Sequence, residues 1–398
     1  MRKENLTKEK SLHVASFDEI KSGNTADIYF QRCKEVLEKY EKCDKRVVAD
    51  VTATSFPFNW KWAIFAGLEE ILILFEGVDC DIYAMEEGTV FYPYQPVMEI
   101  EGKYCNFGLL ETALLGLICQ SSGIATRAAR CKVAAKGKPI YSFGIRRIHP
   151  SISPMVDRSA YIGGCDGVSG ISGARLIGID PVGTMSHAYV ILMESQEEAW
   201  IAFDKVMPEK IPRIALTDTY FDEKTESIMA AESLKDRLLA VRLDTPGSRR
   251  GDFKRIVEEV RWELDIRGYE YVKILISGGI DEFKIKDLRD IADYFGVGTF
   301  ISGSPPIDYA MDIVEVENVP CAKRGKYGGK KQVFRCSKCN TDILAYRKDE
   351  KEKTCKCGGT AYPLLKKVLE KGEIIVDLPS PDEIRRKVLS QISKLTLE

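Results

Sequence analysis

The sequence predicts an α/β fold: a β/α barrel of about seven parallel strands, an α+β domain before it and a four-cysteine module after it. Three observations lead there. Between residues 139 and 302 short apolar runs recur, each ending in small or polar residues and giving way to a helical stretch. Alternating strand and helix makes parallel βαβ units. The residues before that stretch mix helical and strand periodicity, and after it Cys336, Cys339, Cys355 and Cys357 stand in one tight group.

Taken in order, TADIYFQRCKEVLEKYEK (25–42) has a helical period and follows a Ser22-Gly23-Asn24 turn. Residues 46–98 read as short strands with a helix near Trp60–Gly77, and Glu86 to Gly102 alternates with Gly and Pro punctuation as β-structure does. Leu109 to Arg130 turns helical again. Residues 1–120 are therefore one α+β domain. The barrel domain, 121–320, takes its strands from 139–144, 159–167, 180–187, 213–220, 238–245, 271–279 and 296–303. Seven units in so short a stretch close more economically into a barrel than into an open doubly wound sheet, which stays the second choice. Residues 321–398 form the cysteine module and a tail with helices near 362–371 and 382–395.

Composition narrows the function classes. In 398 residues, hydrophobic side chains make 44% and charged ones 30%, as in ordinary globular proteins. The 58 basic and 60 acidic residues nearly cancel, so charge gives no case for nucleic acid or a membrane as the main partner. No run of about 18 apolar residues implies a membrane span, and the start lacks the apolar core of a signal peptide. Eight cysteines (33, 43, 80, 105, 119, 131, 165 and 321) are scattered singly beside the one cluster, which points to a reducing cytoplasm.

The chemistry lies at the carboxyl ends of the strands, the rim where barrel active sites sit. The ends supply Phe143 with Arg146 and Arg147, then Asp166, then Thr184 and His187, then Asp218 and Thr219, Arg242 and Asp244, Ser277-Gly278-Gly279, and Gly296 through Gly298 to Thr299. Tight βα turns need glycine in any case. Two glycine loops after the last two strands nevertheless aim backbone N–H groups where barrels hold phosphate. A single strand-end carboxylate only steadies a helix start. Asp218, Asp244 and Arg242 together suit a ligand with hydroxyls and phosphates, with Mg²⁺ bridging. His187 is the one histidine of three in this set. Phe143 and Tyr29 each offer a flat face to an aromatic ring, with core packing as the default reading.

At these residues the chain resembles the nicotinate phosphoribosyltransferase family, especially its shorter archaeal-type branch. The likeness runs from Ser22 to Ser302 through TADIYF (25–30), FGIRR (143–147), GGCDGVSG (163–170), PVGTMSHAY (181–189), LTDTYFD (216–222), VRLDTPGSRRGD (241–252) and ISGGID (276–281). It implies an incomplete, seven-stranded, TIM-like barrel beside an N-terminal α/β domain. The reaction implied is transfer of the phosphoribosyl group of 5-phosphoribosyl-1-pyrophosphate to nicotinate in NAD biosynthesis, coupled to ATP through a phosphorylated His187. Phe143 would stack on the pyridine ring, with Asp27 and Tyr29 reaching across a homodimer, or an oligomer of dimers, with shared active sites. Arg146 would lie near nicotinate, Asp218, Arg242 and Asp244 around ribose, pyrophosphate and Mg²⁺, and Ser277, Gly278, Gly279, Gly298 and Thr299 at the 5′-phosphate. Many relatives read Thr-Ser-Asn where this chain has Cys165-Asp166-Gly167. A carboxylate there resembles the nicotinamide-using relatives, so nicotinamide stays open as the substrate, as does quinolinate.

Cys336-x2-Cys339 and Cys355-x-Cys357, fifteen residues apart, can converge four thiolates on a tetrahedral Zn²⁺ with no open position, which makes the site structural. The second pair departs from the usual C-x2-C. Iron is the second metal, and free or redox-active thiols the third reading. The basic run from Lys323 to Arg335 before the cluster keeps a zinc-dependent nucleic-acid binder on an inactive barrel as the remote alternative.

Overall fold

The computed structural model describes residues 12–249, 251–348 and 351–397. The first eleven residues of the stretch read for a signal peptide, and Arg250 of the 241–252 block, fall outside them. The described chain divides into two compact units. One comprises residues 1–122 with 306–378, and the other 123–305 with 379–398. The segment 321–398, expected as one module with its tail, is thus shared between the units.

The first unit is built on an antiparallel sheet of seven strands, in the order Val319–Pro320, Tyr309–Val316, Arg46–Ala53, Pro96–Lys103, Cys80–Met85, Leu365–Glu370 and Glu373–Ile374. Alternation explains its two faces. Val47, Ala49, Val51 and Ala53 enter the apolar core, while Asp50, on the opposite face, is buried against Lys331 with Nζ 2.6 Å from Oδ2. The expected helices occur at Ile28–Lys39, Leu68–Phe75 and Glu111–Ala135. The apolar segment Tyr104–Ala135 is long enough to cross a membrane by composition, but half of its most apolar window is buried inside the protein.

Two expectations fail here. The stretch 362–371 contains a strand, not a helix. Its register against Cys80–Met85 slips between Lys367 and Leu369, so Val368 and Leu369 are both buried and the apolar spacing mimics a helix. Cys43 and Cys105, read as single thiols, form a disulfide across 62 residues of sequence, so eight scattered cysteines become six.

The second unit carries a six-stranded parallel sheet. Its strands are β1 (Ile140–Ser142), β2 (Gly167–Val168), β3 (Arg213–Leu216), β4 (Leu238–Leu243), β5 (Lys273–Ile276) and β6 (Tyr294–Val297), and the spatial order is β2-β1-β6-β5-β4-β3. The last strand thus pairs with the first, and the sheet opens between β2 and β3. The expected strand at 180–187 is absent: Pro181 cannot donate to a ladder, one bond from Val182 N to Val168 O (2.8 Å) forms, and a helix begins at His187. Residues 159–162 of the second expected strand lie in the helix Ser153–Ile162, so the strand there is only Gly167–Val168, and Thr299–Ser302 is a short helix.

Period-two alternation separates the faces of this sheet. Val241, Leu243, Ile274, Ile276, Phe295 and Val297 pack into the main core, each removed from water. Ile214, Ala240 and Leu275 meet Tyr141, Phe143 and Tyr294 on the other face. Arg242, two residues past Ala240, Ser277, two past Leu275, and Gly296, two past Tyr294, project on that second face near the carboxyl ends.

Candidate active site and metal centre

Arg242 organises the rim. Its Nε donates to Ser277 Oγ at 2.9 Å, Nη1 to Thr184 Oγ1 at 2.9 Å, and Nη2 lies 2.9 Å from Asp244 Oδ2. Ser277 in turn donates to Asp244 Oδ1 at 2.6 Å. The guanidinium carbon stands 5.8 Å from the Phe143 ring centroid. Phe143 reaches this place because its amide bonds Val297 O at 2.9 Å, and because Gly296 leaves room for the ring. A Cβ at residue 296 would come 2.5 Å from Phe143 Cδ2.

His187 and Asp218 form a second pair, Nε2 to Oδ1 at 3.1 Å, with the imidazole half-exposed and the carboxylate buried. The Asp218 hydrogen bond and charge, aided by Asp244, hold the imidazole pKa above its usual value against burial and the Arg242 charge. Asp218 Oδ2 and Thr219 Oγ1 are buried with no hydrogen-bond partner among the described residues. An unpartnered buried carboxylate oxygen such as Asp218 Oδ2 suits a ligand hydroxyl or a cation.

The glycine loops after β5 and β6 border a cleft of about 350 Å³ lined by Arg127, Gly279, Ile280, Asp281, Gly298, Thr299, Phe300 and Gly303. Gly278 and Gly279 adopt φ of 76° and 61°, left-handed values that admit glycine at little cost. Arg127, on the helix Glu111–Ala135, adds a cation that reading only strand ends could not find. Arg146 lies in the turn Ile145–Arg147 and is exposed. Asp27 and Tyr29 belong to the first unit. Thr112 bonds both the Asp27 amide and its carboxylate, and the Tyr29 ring is exposed.

Asp166 is the misplaced residue. Its Oδ2 accepts from Lys132 Nζ at 2.6 Å and from the Ile140 amide at 2.8 Å, and its Oδ1 from Arg385 Nη2 at 2.6 Å. It therefore sits where β1 and β2 begin, at the opposite end of the strands from Arg242. The strand starts after Asp166, not before it as expected, which is why the residue lies at that end.

The four cluster cysteines in the first unit bring their sulfurs within 4.8 Å of one another. Individual separations are 3.5 Å for Cys336–Cys357, 3.7 Å for Cys339–Cys355 and 3.4 Å for Cys339–Cys357. A tetrahedral site with metal–sulfur bonds of about 2.3 Å needs sulfurs roughly 3.8 Å apart, so the donor set fits a metal. Gly359 is required beside it, since a Cβ there would come 2.8 Å from Cys336 Sγ.

Residues 27–122 match the family described as Quinolinate phosphoribosyl transferase, N-terminal domain, and residues 124–312 its C-terminal domain. Among curated relatives, Nicotinate phosphoribosyltransferase pncB2 of Mycobacterium tuberculosis is 36% identical over 270 residues, 64% of this chain and 57% of that protein. Nicotinate phosphoribosyltransferase 1 of Arabidopsis thaliana is 34% identical, covering 75% of this chain and 72% of its own. The chain thus spans little more than half the length of the mycobacterial relative. A crystal structure described as nicotinate-nucleotide pyrophosphorylase from Pyrococcus furiosus is 54% identical, with a TM-score of 0.95 over 98% of this chain and 100% of that one. Human nicotinic acid phosphoribosyltransferase, 19% identical with a TM-score of 0.74, shares the fold.

Proposed function

The chain belongs to the quinolinate phosphoribosyltransferase family, and we propose that it joins nicotinate to 5-phosphoribosyl-1-pyrophosphate, forming nicotinate mononucleotide and pyrophosphate for NAD biosynthesis. The observation that carries this reading is the Arg242 network, a cation held by Thr184, Asp244 and Ser277 beside the Phe143 ring.

Pyrophosphate leaves C1 of the ribose with its bonding electrons, and the pyridine nitrogen attacks the opposite face. Little proton transfer is needed, so the protein's task is alignment and stabilisation of departing negative charge. Phe143 stacks on the ring, Arg146 attends the carboxylate of nicotinate, and Arg242 faces the leaving oxygens. Asp244 and the unpartnered Oδ2 of Asp218 fit ribose hydroxyls and the Mg²⁺ that accompanies pyrophosphate and adds positive charge there. The amides of Gly278, Gly279, Gly298 and Thr299, with Arg127, cradle the 5′-phosphate. The pairing of β6 with β1 supports an incomplete TIM-like barrel. Asp27 and Tyr29 complete the site from a second subunit of a homodimer, in the cytoplasm. His187 takes the terminal phosphoryl group of ATP, ADP leaving, and later gives it up to water. Zn²⁺ in the four-cysteine site is structural.

Labelled nicotinate, nicotinamide and quinolinate, each supplied with the phosphoribosyl donor, test the proposal, and the same assays with ATP read the coupling. Nicotinate should give the mononucleotide. The family's description favours quinolinate as the second reading; product only from quinolinate, with loss of CO₂, would install it. Nicotinamide loses its motive, because Asp166 is occupied by Lys132, Arg385 and the Ile140 amide.

A further inference from the structure

Glu226 lies on the helix Glu223–Leu234, beyond every strand end, and is fully buried. Its carboxylate accepts three consecutive backbone amides of the loop after β3. Thr219 N donates to Oε2 at 3.0 Å, Tyr220 N to Oε1 at 2.6 Å and Phe221 N to Oε1 at 2.8 Å. A carboxylate has enough lone pairs for all three, and no other side-chain type offers two equivalent acceptors at this reach. The helix itself is fixed by Asp222, which caps it through the Thr225 amide at 2.9 Å. The bound loop begins one residue after Asp218, the buried partner of His187.

We propose that Glu226 is a positioning residue for the transfer reaction: by clamping the amides of Thr219, Tyr220 and Phe221 it aims Asp218, which in turn orients His187. The inference rests on the assignment of Asp218 and His187 to the reacting site. The Asp218 side chain itself meets only the half-exposed His187 ring through Oδ1, and Oδ2 has no partner among the described residues. Its backbone is held before it by Thr217, whose amide bonds Arg242 O at 3.1 Å, and after it by the Glu226 clamp. Without the clamp, the chain at Asp218 would be fixed on the Thr217 side alone.

The test is Glu226→Gln. Glutamine keeps one acceptor for Tyr220 and Phe221 but turns an NH₂ toward the Thr219 amide, donor against donor, beside Asp218. Two readouts are taken on the whole protein. NMR titration of His187 reports its partner directly. The groups that set this titration are Asp218 and Asp244, which raise it, and Arg242, which lowers it. In Glu226→Gln the titration should fall back toward that of an ordinary histidine, as it should in Asp218→Asn. The double variant should move it no further than either change alone, because both act through one contact. Steady-state transfer should lose kcat by on the order of 10–100-fold while KM for the base changes by less than about twofold.

A Glu226→Gln protein that melts normally and keeps the wild-type His187 titration would overturn the proposal, as would additive shifts in the double variant. Should Glu226→Gln not fold, Glu226→Asp keeps both acceptors one methylene short, and the same titration decides. If the wild-type protein transfers nothing to nicotinate, the proposed function fails, while the titration still reports whether Glu226 aims Asp218.

Discussion

Arg385 donates from Nη2 to Asp166 Oδ1 at 2.6 Å and from Nε to Cys165 O at 2.8 Å, tying the helix Pro381–Ile392 to the start of β2. Lys132 and the Ile140 amide take the other oxygen of the same carboxylate. Asp166 is thus a structural anchor for β1 and β2, with its polar groups directed to protein partners.

Asp166→Asn should therefore leave the choice of base unchanged. The amide oxygen still accepts the Ile140 N–H, but two ion pairs are lost. Their side chains are 11% to 28% exposed, so solvent screens part of the loss, and a cost of about 1–2 kcal/mol is expected. Urea denaturation measures that cost, and competition between nicotinate and nicotinamide measures the choice. A swing toward nicotinamide would place Asp166 back at the base.

The misreading of Asp166 shows what was legible and what was not. Arg242, Asp244 and Ser277 were readable because β4 and β5 are strands long enough to show where they end. β2 has two residues, preceded by a helix whose apolar positions look like strand, so the polarity of that unit was inverted and Asp166 was moved to the wrong rim. Leu365–Glu370 was lost to a bulge for a related reason: local spacing was real, but pairing altered its meaning. The four cysteines needed no pairing information, since their types and spacing already specify the chemistry. Glu226 had no signal at all. It binds backbone amides, which every residue possesses, so nothing in its neighbours' identities announces the contact.

Arg242→Lys tests the centre of the rim. One ammonium cannot reproduce a planar fork that reaches Thr184, Ser277 and Asp244 at once. We expect kcat/KM to fall by on the order of 100–1,000-fold, the usual scale for removing a donor to developing charge. The loss should lie mainly in kcat, and thermal stability should change little, because lysine still pairs with Asp244. A near-normal kcat would remove Arg242 from the leaving-group side.

Cys336→Ser tests the metal centre. Both Cys336 and Cys355 are buried beside Phe334 and Ala361, so the sulfur cluster is part of a small core of its own. Protein purified without chelator should carry about one zinc per chain, and the serine variant should lose it, because four ligands close a structural site. Loss of metal should lower the melting temperature, while residual transfer below the melt persists, since the cysteines belong to the first unit and Arg242, Asp244 and Ser277 to the second. Metal-free wild-type protein of unchanged stability would end the zinc assignment.

Asp157 gives a pH test with a definite sign. It is buried beneath the carboxyl ends of β1 and β2, where one oxygen accepts the Gly170 amide at 3.1 Å and Oδ1 has no partner among the described residues. Gly170 and Gly173 are pressed against it; a Cβ at either would come 2.2 or 2.5 Å from Asp157 Oδ2. Burial pushes its pKa from 3.8 up to about 6, outweighing the Gly170 amide and Ser142, which favour the ionised form. The folded state therefore holds a proton that the unfolded chain has released. That contribution to stability is fully present below pH 3.8 and is lost as pH rises through about 6. Its size is on the order of 2–3 kcal/mol. Asp157→Asn is neutral at every pH, so the wild-type-minus-variant difference in unfolding free energy should decline across that window and flatten above it. Urea melts at half-unit pH steps measure this; a difference that does not vary with pH would mean that Asp157 titrates alike in the folded and unfolded chain, and one that rises with pH would mean that it is ionised in the folded protein at low pH.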